Sequence, residues 1–313
     1  SRVAGDAPLP VAIGAPAEYA PMTPRRVLDT RDSGTALPAG GQVAVDLSPY
    51  VPPGTTAVAV GLTTAATDAP GFLAGFPCDR APGTISNVNH QAGLARGSLA
   101  VIPLAADGRL CVLTRAAGHV IVDLQGAFVP DAPTGTRFTP LDPPQRLLDT
   151  RETGRAQVLR ITAPARAAAV AVNLTATGAD TPGWLKTYPC GIDPPTVSNV
   201  NYFPSESVAS VAFVPVAADG TFCVETLVPV HVIVDITGVF TADGQLRFVA
   251  AQPSRVLDPR IALGGWSPLH GSGQTLDVRA VPPEARAVTG TITLVAPLRP
   301  GFLTTYPCSA EPP

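Results

Sequence analysis

Three residue types that could form a hydrolase triad recur at the same spacing in two parts of this chain. One set is Ser86, His119 and Asp123, and its counterpart is Ser198, His231 and Asp235. A serine hydrolase needs its base in hydrogen-bond contact with the orienting carboxylate, near ~3 Å. His119 and Asp123 lie four residues apart in one apparent strand, which separates them by about 13 Å on one face. The Gly-x-Ser-x-Gly elbow of the α/β-hydrolases is also missing. The sequence therefore predicts no catalytic residues and no enzyme.

An Asp-Arg pair stands near the start of three related segments, which read RVLDTR, RLLDTR and RVLDPR. The pairs are Asp29 with Arg31, Asp149 with Arg151, and Asp258 with Arg260. Such a pair could bind a carboxylate or a sugar. Its presence at the start of every segment favours a structural role instead. We expect the aspartate to cap a turn and the arginine to pair across a domain joint, where an ion pair can fix register.

The cysteines predict one disulfide in each of two units. Cys78 and Cys111 lie 33 positions apart, and Cys190 and Cys223 repeat that spacing. Zinc sites use Cys-x-x-Cys pairs or nearby histidines, which this pattern lacks. Disulfides indicate an oxidising compartment, so we expect a secreted or cell-surface protein. Cys308 occupies the position of Cys78 and Cys190, and we expect it to be bonded to another polypeptide or left as a thiol.

The local patterns predict an all-β fold. Short runs rich in Val, Leu and Ala are bounded by Pro and Gly, and the 36 prolines make long helices improbable. Asp107-Gly108 and Asp219-Gly220 stand between apolar runs, which indicates tight hairpin turns. Seven or eight strands per unit predict tandem antiparallel β-sandwiches, of immunoglobulin-like or jelly-roll topology.

The recurring segments divide the chain into repeats. We predict an N-terminal extension at 1–19, repeat 1 at 20–130, repeat 2 at 138–242 and a partial repeat 3 at 246–313. The joints between them are only a few residues long. Short linkers limit swing, so we expect a stiff rod.

Four signatures together resemble a repeat of secreted and cell-surface proteins of actinobacteria and related high-GC bacteria. They are Arg146–Arg151 (RLLDTR), Gly301–Cys308 (GFLTTYPC), Ser86–Asn89 (SNVN) and Asp123–Phe128 (DLQGAF). The resemblance covers the chain from about Pro24 onward. It implies a β-sandwich array outside the cell, and it brings no catalytic residue with it.

Composition excludes several classes of partner. A net charge of −3 and an aromatic content of 5% favour neither nucleic acid nor an anionic membrane. No apolar run approaches the ~18 residues of a membrane span. No calcium loop pattern is present, and we expect no cofactor and no metal. The mean hydropathy of +0.24 is high. Either the cores are well filled, or apolar surface is buried between domains or chains.

The third repeat is predicted to be incomplete. Residues 246–313 have no counterpart of 198–240, and Ser1–Thr23 lack the Ser-Asn-x-Asn, cysteine and Val-Asp elements needed to complete them. A half sandwich would expose strand edges and an apolar face. We therefore expect polypeptide outside this sequence to complete repeat 3. It could be the remainder of a longer chain, or a neighbouring subunit that donates strands.

These observations predict a non-enzymatic extracellular structural protein, part of a cell-surface fibre or filament. The alternative is an adhesion appendage that binds glycan or protein. A shared groove lined by Trp184 or Tyr202 would favour binding, whereas exposed apolar strips would favour assembly. The Ser-Asn-Val-Asn motifs are expected to stabilise turns. Phe72, Trp184 and Phe302 are expected to pack in the core against the disulfides.

Overall fold

A computed structural model describes residues 2–6, 11–264, 275–279, 283–299 and 301–308. Within these ranges the protein is built from strands, with a one-turn helix α1 (Thr150–Thr153) and a 3-10 turn at Pro259–Ile261. None of the helices formed by the described residues is long and apolar enough to cross a membrane.

Repeat 1 is a sandwich of two four-stranded antiparallel sheets, and β1 (Arg2–Asp6) precedes it. Its strands are β2 (Glu18–Asp29), β3 (Gln42–Asp46), β4 (Ala57–Ala65), β5 (Gly71–Pro77), β6 (Val88–His90), β7 (Arg96–Pro103), β8 (Arg109–Thr114) and β9 (His119–Val129). One sheet has the order β2-β9-β4-β7 and the other β3-β8-β5-β6. This is the strand order of a jelly roll, so the structure decides between the two predicted topologies.

Repeat 2 has the same arrangement. Its strands are β10 (Arg137–Asp149), β11 (Ala156–Thr162), β12 (Ala169–Thr177), β13 (Gly183–Pro189), β14 (Val200–Tyr202), β15 (Val208–Pro215) and β16 (Thr221–Thr241). The first part of the long strand β16 pairs with β11 and β13, and its second part pairs with β10 and β12, so β16 runs from one layer of the sandwich into the other and joins all seven strands. It therefore corresponds to both β8 and β9 of repeat 1. The predicted tandem sandwiches are confirmed.

Alternation along the strands explains both the cores and the faces between them. In β4, Val58, Val60 and Leu62 point into the core of repeat 1. The intervening Ala57 and Ala59 point outward and are equally buried, because successive side chains of a strand face opposite sides. Small outward side chains allow another sheet to approach closely.

Both predicted disulfides are confirmed, Cys78–Cys111 and Cys190–Cys223. The Asp-Gly turns have the positive φ expected of glycine, 78° at Gly108 and 80° at Gly220. The hairpin interpretation is nevertheless wrong about pairing, because β7 and β8 belong to different sheets. In a jelly roll this turn carries the chain from one sheet to the other.

An apolar cluster lies between the repeats. It unites outward side chains of repeats 1 and 2 with residues of the third: Ala17, Tyr19, Ala57, Ala59, Phe128, Ala169, Ala171, Phe213, Phe240 and Ala250. Part of the high hydropathy is thus apolar surface buried between repeats, one of the two explanations that the sequence left open.

The opening segments of the three repeats pair in a closed circuit. Tyr19 exchanges backbone hydrogen bonds with Thr136 (2.7 and 2.8 Å), and Phe138 exchanges them with Leu246 (2.9 and 2.8 Å). Phe248 then returns to Ala17 at 2.8 Å in both directions. Each link joins corresponding positions of successive repeats, and the last link closes on the first.

The predicted end-to-end rod is therefore wrong. The outward faces of the sheets carry alanine and aromatic side chains, which are buried only when the repeats pack side by side. The short linkers serve this packing, because they return the chain directly from β9 to β10.

The N-terminal extension pairs with the third repeat, which the sequence did not predict. β1 runs parallel to β17 (Thr275–Arg279), and Ile13 donates its backbone N–H to Ala250 at 2.8 Å. The extension adds backbone pairing but no counterpart of residues 198–240. Parts of the predicted third repeat lie outside the described residues, and its completion by other polypeptide stays a prediction.

The described part of repeat 3 beyond β17 exposes residues of types that fill the cores of the other repeats. Val288 is 71% exposed and Phe302 is 89% exposed, so the expected core packing of Phe302 is not observed. No strand is formed within 283–299 or 301–308. The Cys308 sulfur is exposed, 3.0 Å from a carboxylate oxygen of Asp277.

Candidate functional site

The Asp-Arg pairs build the same turn in all three repeats. Asp29 Oδ1 accepts the backbone N–H of Arg31 at 3.0 Å and its Nε at 2.9 Å. Asp149 with Arg151 and Asp258 with Arg260 make the same contacts. The predicted capping by the aspartate is confirmed. The predicted pairing across a domain joint is wrong, because each arginine folds back onto the aspartate two residues before it.

These pairs make the acid stability of the fold depend on the capping carboxylates. Hydrogen bonding to the neighbouring guanidinium holds the pKa of Asp149 well below its usual range. A depressed pKa stabilises the folded state above the unfolded value near ~3.9, and this contribution is lost as the pH falls further. Replacing Asp149 with asparagine should flatten the decline in stability between about pH 4 and pH 2.

Urea unfolding at several pH values, followed by circular dichroism, would measure this difference. Asp180→Asn is the matched control, because that side chain is 80% exposed and lies outside the turn. Equal acid slopes for the Asp149 variant and the parent protein would contradict the prediction.

A second arginine in the same motif connects two strands. Arg26 donates Nε and Nη2 to the two carboxylate oxygens of Asp123 at 2.9 and 3.2 Å, and Nη1 to Asp29 at 3.0 Å. Burial raises the pKa of Asp123. Arg146 repeats the arrangement with Asp235 in repeat 2. The signal was present in the sequence, since the first arginine of the motif and the closing Val-Asp recur together.

The candidate triad is not assembled. His119 Nδ1 lies 3.1 Å from Thr30 Oγ1, while Asp123 accepts from Arg26 and from the backbone N–H of Ser198. The structure therefore gives histidine and aspartate separate structural partners, as their spacing predicted. In the ranges that the structure describes, no group of three or more His, Cys, Asp or Glu could hold a metal ion.

The Ser-Asn-x-Asn motif has two roles, of which the sequence predicted only the local one. Asn87 Oδ1 accepts the backbone N–H of Gly75 at 2.8 Å, and Asn199 Oδ1 accepts that of Thr187 at 2.7 Å. In repeat 2 the motif also reaches repeat 1. The N–H of Ser198 donates to Asp123 Oδ2 at 3.2 Å across the junction. Sequence reasoning missed this second role.

An ion pair strengthens the same junction. Arg96 of β7 donates to both carboxylate oxygens of Glu206 at 2.8 and 2.6 Å, and to the carbonyl of Asn201 at 3.1 Å. Its guanidinium lies 5.1 Å from the ring centroid of Phe203. The backbone N–H of Leu99 donates to Ser210 Oγ at 3.3 Å. Polar groups thus fix the register of repeat 2 on the outer face of repeat 1.

A cleft of about 250 Å³ opens beside these contacts, lined by residues of both repeats. Its wall includes Arg26, Arg31, Trp184 and Lys186. Lys186 Nζ lies 4.4 Å from the Trp184 ring centroid. The expected core packing of Trp184 is wrong, because Leu185 beside it faces the core and adjacent residues alternate. Trp184 lies on the outer face of its sheet, where it lines this cleft.

The other aromatic residue considered for a binding groove, Tyr202, does not line the cleft. Its ring is 1% exposed in the core of repeat 2, and its hydroxyl donates to the carbonyl of Val228 at 3.2 Å.

Aromatic rings meet where the three opening segments converge. The centroid of Tyr19 lies 4.4 Å from that of Phe240, and Phe138 lies 5.1 Å from Phe240. Phe128 lies 4.3 Å from Phe248 of the third repeat. Each repeat therefore contributes at least one ring to the common centre.

Comparisons with known proteins found similarity among solved structures alone. No protein-family model matches this chain, and neither does any curated protein. Among solved structures, the chain is similar to the tandem CBM22-1–CBM22-2 domains of Xyn10C from Paenibacillus barcinonensis. That match has 10% identity and a TM-score of 0.22, and it covers 77% of this chain and 98% of the other.

Three corresponding charged residues meet next to the aromatic centre. Glu18, Arg137 and Arg247 immediately precede Tyr19, Phe138 and Phe248. Arg247 Nε lies 2.7 Å from Glu18 Oε1, and Arg137 Nη2 lies 3.5 Å from it. The Glu18 side chain is 6% exposed. One carboxylate therefore neutralises two guanidinium groups, one from each of the other repeats.

Replacing Glu18 with glutamine should destabilise the protein by about 2 kcal/mol, because two arginines would then face each other without a counter-charge. Chemical denaturation would measure the loss, and it should shrink as salt screens the arginines. Glu225→Gln is the matched control, a partly buried acid inside repeat 2 whose partners are Tyr188 and Lys186. A salt-independent loss, equal in both variants, would contradict the prediction.

Proposed function

We propose that this chain is a non-enzymatic structural protein of the cell exterior, a rigid building unit of a surface fibre or filament. The observation that carries the proposal is the closed circuit of backbone pairs among the three opening segments. An apolar centre and polar junctions hold the repeats side by side as one body. Two disulfides fit an oxidising environment.

The contacts made by the recurrent polar residues support this proposal. Asp123 and Ser198 bond to each other across the junction, and Arg26 ties Asp123 to Asp29. The side chains that recur in the repeats are thus engaged in turns and in contacts between repeats. This is the pattern expected of residues that maintain an assembly.

Two measurements test the proposal. Small-angle X-ray scattering of the purified chain should give a radius of gyration near ~20 Å, the value for a compact chain of this length. A much larger value would contradict the closed arrangement. Negative-stain microscopy of native material should show fibres built from compact units. Dispersed particles attached to a larger secreted protein would contradict the fibre role.

The cleft between repeats 1 and 2 supports a second candidate function. We propose that it binds an acidic glycan in an adhesion appendage, because Arg31 and Lys186 border it together with Trp184. Titration with carboxylated and neutral oligosaccharides, followed by tryptophan fluorescence, would test this. Binding only of the carboxylated set, lost in Lys186→Ala, would support it. Equal binding by that variant would contradict it.

A further inference from the structure

We propose that the outer face of the sheet containing β10, β16, β12 and β15 is a docking surface for the second half of a third repeat, carrying a Ser-Asn-x-Asn segment. The inference rests on the closed arrangement proposed above and names the partner that the arrangement requires. It follows from comparing this face with its counterpart in repeat 1.

The counterpart in repeat 1 is covered. On that face Thr63 is 2% exposed, Asp123 1% and Gln125 2%. The covering polypeptide is the Ser-Asn-x-Asn segment of repeat 2. Ser198 contacts Asp123, and Asn201 lines the same cleft as Thr63.

The corresponding part of the repeat 2 face, around Asp235, is open, whereas the other end of that face, with Ala169, Ala171 and Phe213, is buried in the apolar cluster between the repeats. The Asp235 side chain is 27% exposed against 1% for Asp123, and Arg146 is 50% exposed against 21% for Arg26. Val211, at the position of Leu99, is 41% exposed. The ion pair and the sheet are the same in both repeats, and only the cover is missing.

A second contact shows that the docking is cyclic. Asn89 of repeat 1 donates Nδ2 to Thr293 Oγ1 of the third repeat at 3.2 Å. Asn89 corresponds to Asn201, and Thr293 corresponds to Thr63 by its position before Gly301 and Gly71. Asn201 of repeat 2 and Thr63 of repeat 1 both lie next to Gly97, and Asn89 of repeat 1 bonds Thr293 of repeat 3. Corresponding residues therefore meet at both junctions, although Thr63 Oγ1 makes no hydrogen bond within the described part of the chain. The remaining contact of the cycle falls on Thr175 and Asp235.

The partner for this surface can be identified from the Ser-Asn-x-Asn segments that already make contacts within the chain. The Ser-Asn-x-Asn segments of repeats 1 and 2 make the two contacts just described, so a second copy of this chain offers none without opening its own circuit. A third such segment fits the exposed Asp235 as Ser198 fits Asp123. The same half repeat would also cover Val288 and Leu303, which are exposed although their counterparts Val58 and Leu73 are buried in the core of repeat 1.

Two positions distinguish this face from the covered one. Asn173 and Ala209 stand where repeat 1 has Gly61 and Gly97. A Cβ on Gly97 would lie 2.6 Å from Thr63 Oγ1 and 3.0 Å from Asn201 Oδ1. The segment that docks on repeat 2 therefore sits slightly farther from the sheet than the segment on repeat 1.

A fusion protein tests the inference. Residues 191–242 of this chain are joined after Cys308 in place of residues 309–313, which puts a copy of Cys223 at the same spacing from Cys308. Hydrogen exchange by NMR then follows the Val211 backbone amide, whose counterpart Leu99 donates to Ser210. We expect a disulfide at Cys308 and exchange at Val211 slowed at least tenfold.

The control substitutions are made in the original repeat 2 of the fusion, not in the appended copy. There, Asp235→Ala should restore fast exchange at Val211, whereas Asp219→Ala, at a surface aspartate of the same repeat, should not. A Cys308 disulfide with unchanged exchange at Val211 would overturn the inference. If the fusion fails to oxidise, a synthetic peptide of residues 196–212, which includes the Ser210 hydroxyl that accepts the Leu99 amide, is added to the unmodified chain, with a scrambled peptide as control.

Protection of Val211 by the peptide, abolished by Asp235→Ala, would support the inference, and no protection would overturn it. The scattering measurement on the unmodified chain is independent of both arms. If only the docking proposal is wrong, the radius of gyration of the unmodified chain still has the compact value. If the closed arrangement itself is wrong, that radius is larger.

Discussion

Replacing Tyr19 with alanine is expected to cost about 3–5 kcal/mol of folding free energy and to loosen the three repeats from one another. The ring is 1% exposed and contacts Phe128, Phe213 and Phe240 from two different repeats. Its hydroxyl donates to the carbonyl of Gln125 at 3.1 Å. Removing it leaves a cavity at the common centre, where the opening segments pair.

Tyr202→Ala is the matched control for this prediction. Tyr202 is equally buried and also donates to a backbone carbonyl, but its environment is the core of repeat 2 alone. Both variants should lose similar stability by chemical denaturation. Only Tyr19→Ala should increase the radius of gyration and speed amide exchange at Thr136 and Phe248. An unchanged radius in both variants would show that the aromatic centre does not hold the repeats together.

Removing the first disulfide should have the next largest effect. The double variant Cys78→Ala/Cys111→Ala is expected to lose about 3–4 kcal/mol, because closing a loop of this length limits the unfolded chain. The loss should fall on repeat 1, while the core of repeat 2 keeps its slow amide exchange.

The equivalent change at Cys190 and Cys223 is the control, and it should move the loss to repeat 2. Hydrogen exchange by mass spectrometry resolves the two repeats in one experiment. If either double variant accelerated exchange equally in both repeats, the two repeats would unfold as a single unit. The prediction that each disulfide stabilises only its own repeat would then be wrong.

The sandwich and the disulfides could be predicted because both depend on local patterns. Alternation in β4 and the paired cysteine spacing each act within one repeat. The jelly-roll order could not be predicted, because the Asp107-Gly108 turn has the same local conformation whether its strands pair or separate. That choice depends on long-range pairing of β7 with β4 and of β8 with β3.

The junctions were missed for a related reason. The Ser-Asn-Val-Asn motif looks like a turn motif, and Asn199 does bond the neighbouring backbone. The second role of the motif becomes visible only when repeat 2 is placed on repeat 1. Trp184 was misplaced because an aromatic residue near a disulfide suggests a core, while the alternating pattern puts Leu185 there.

The single carboxylate at the convergence of the repeats gives them an order. Glu18 stands where the other repeats have Arg137 and Arg247. Three identical copies would bring three like charges together, so a ring of free, identical repeats could not form this contact. Covalent linkage lets each duplicate take a different charge at one position. Each repeat therefore has a fixed position in the ring. A ring assembled from repeats 2 and 3 without repeat 1 would place arginine against arginine.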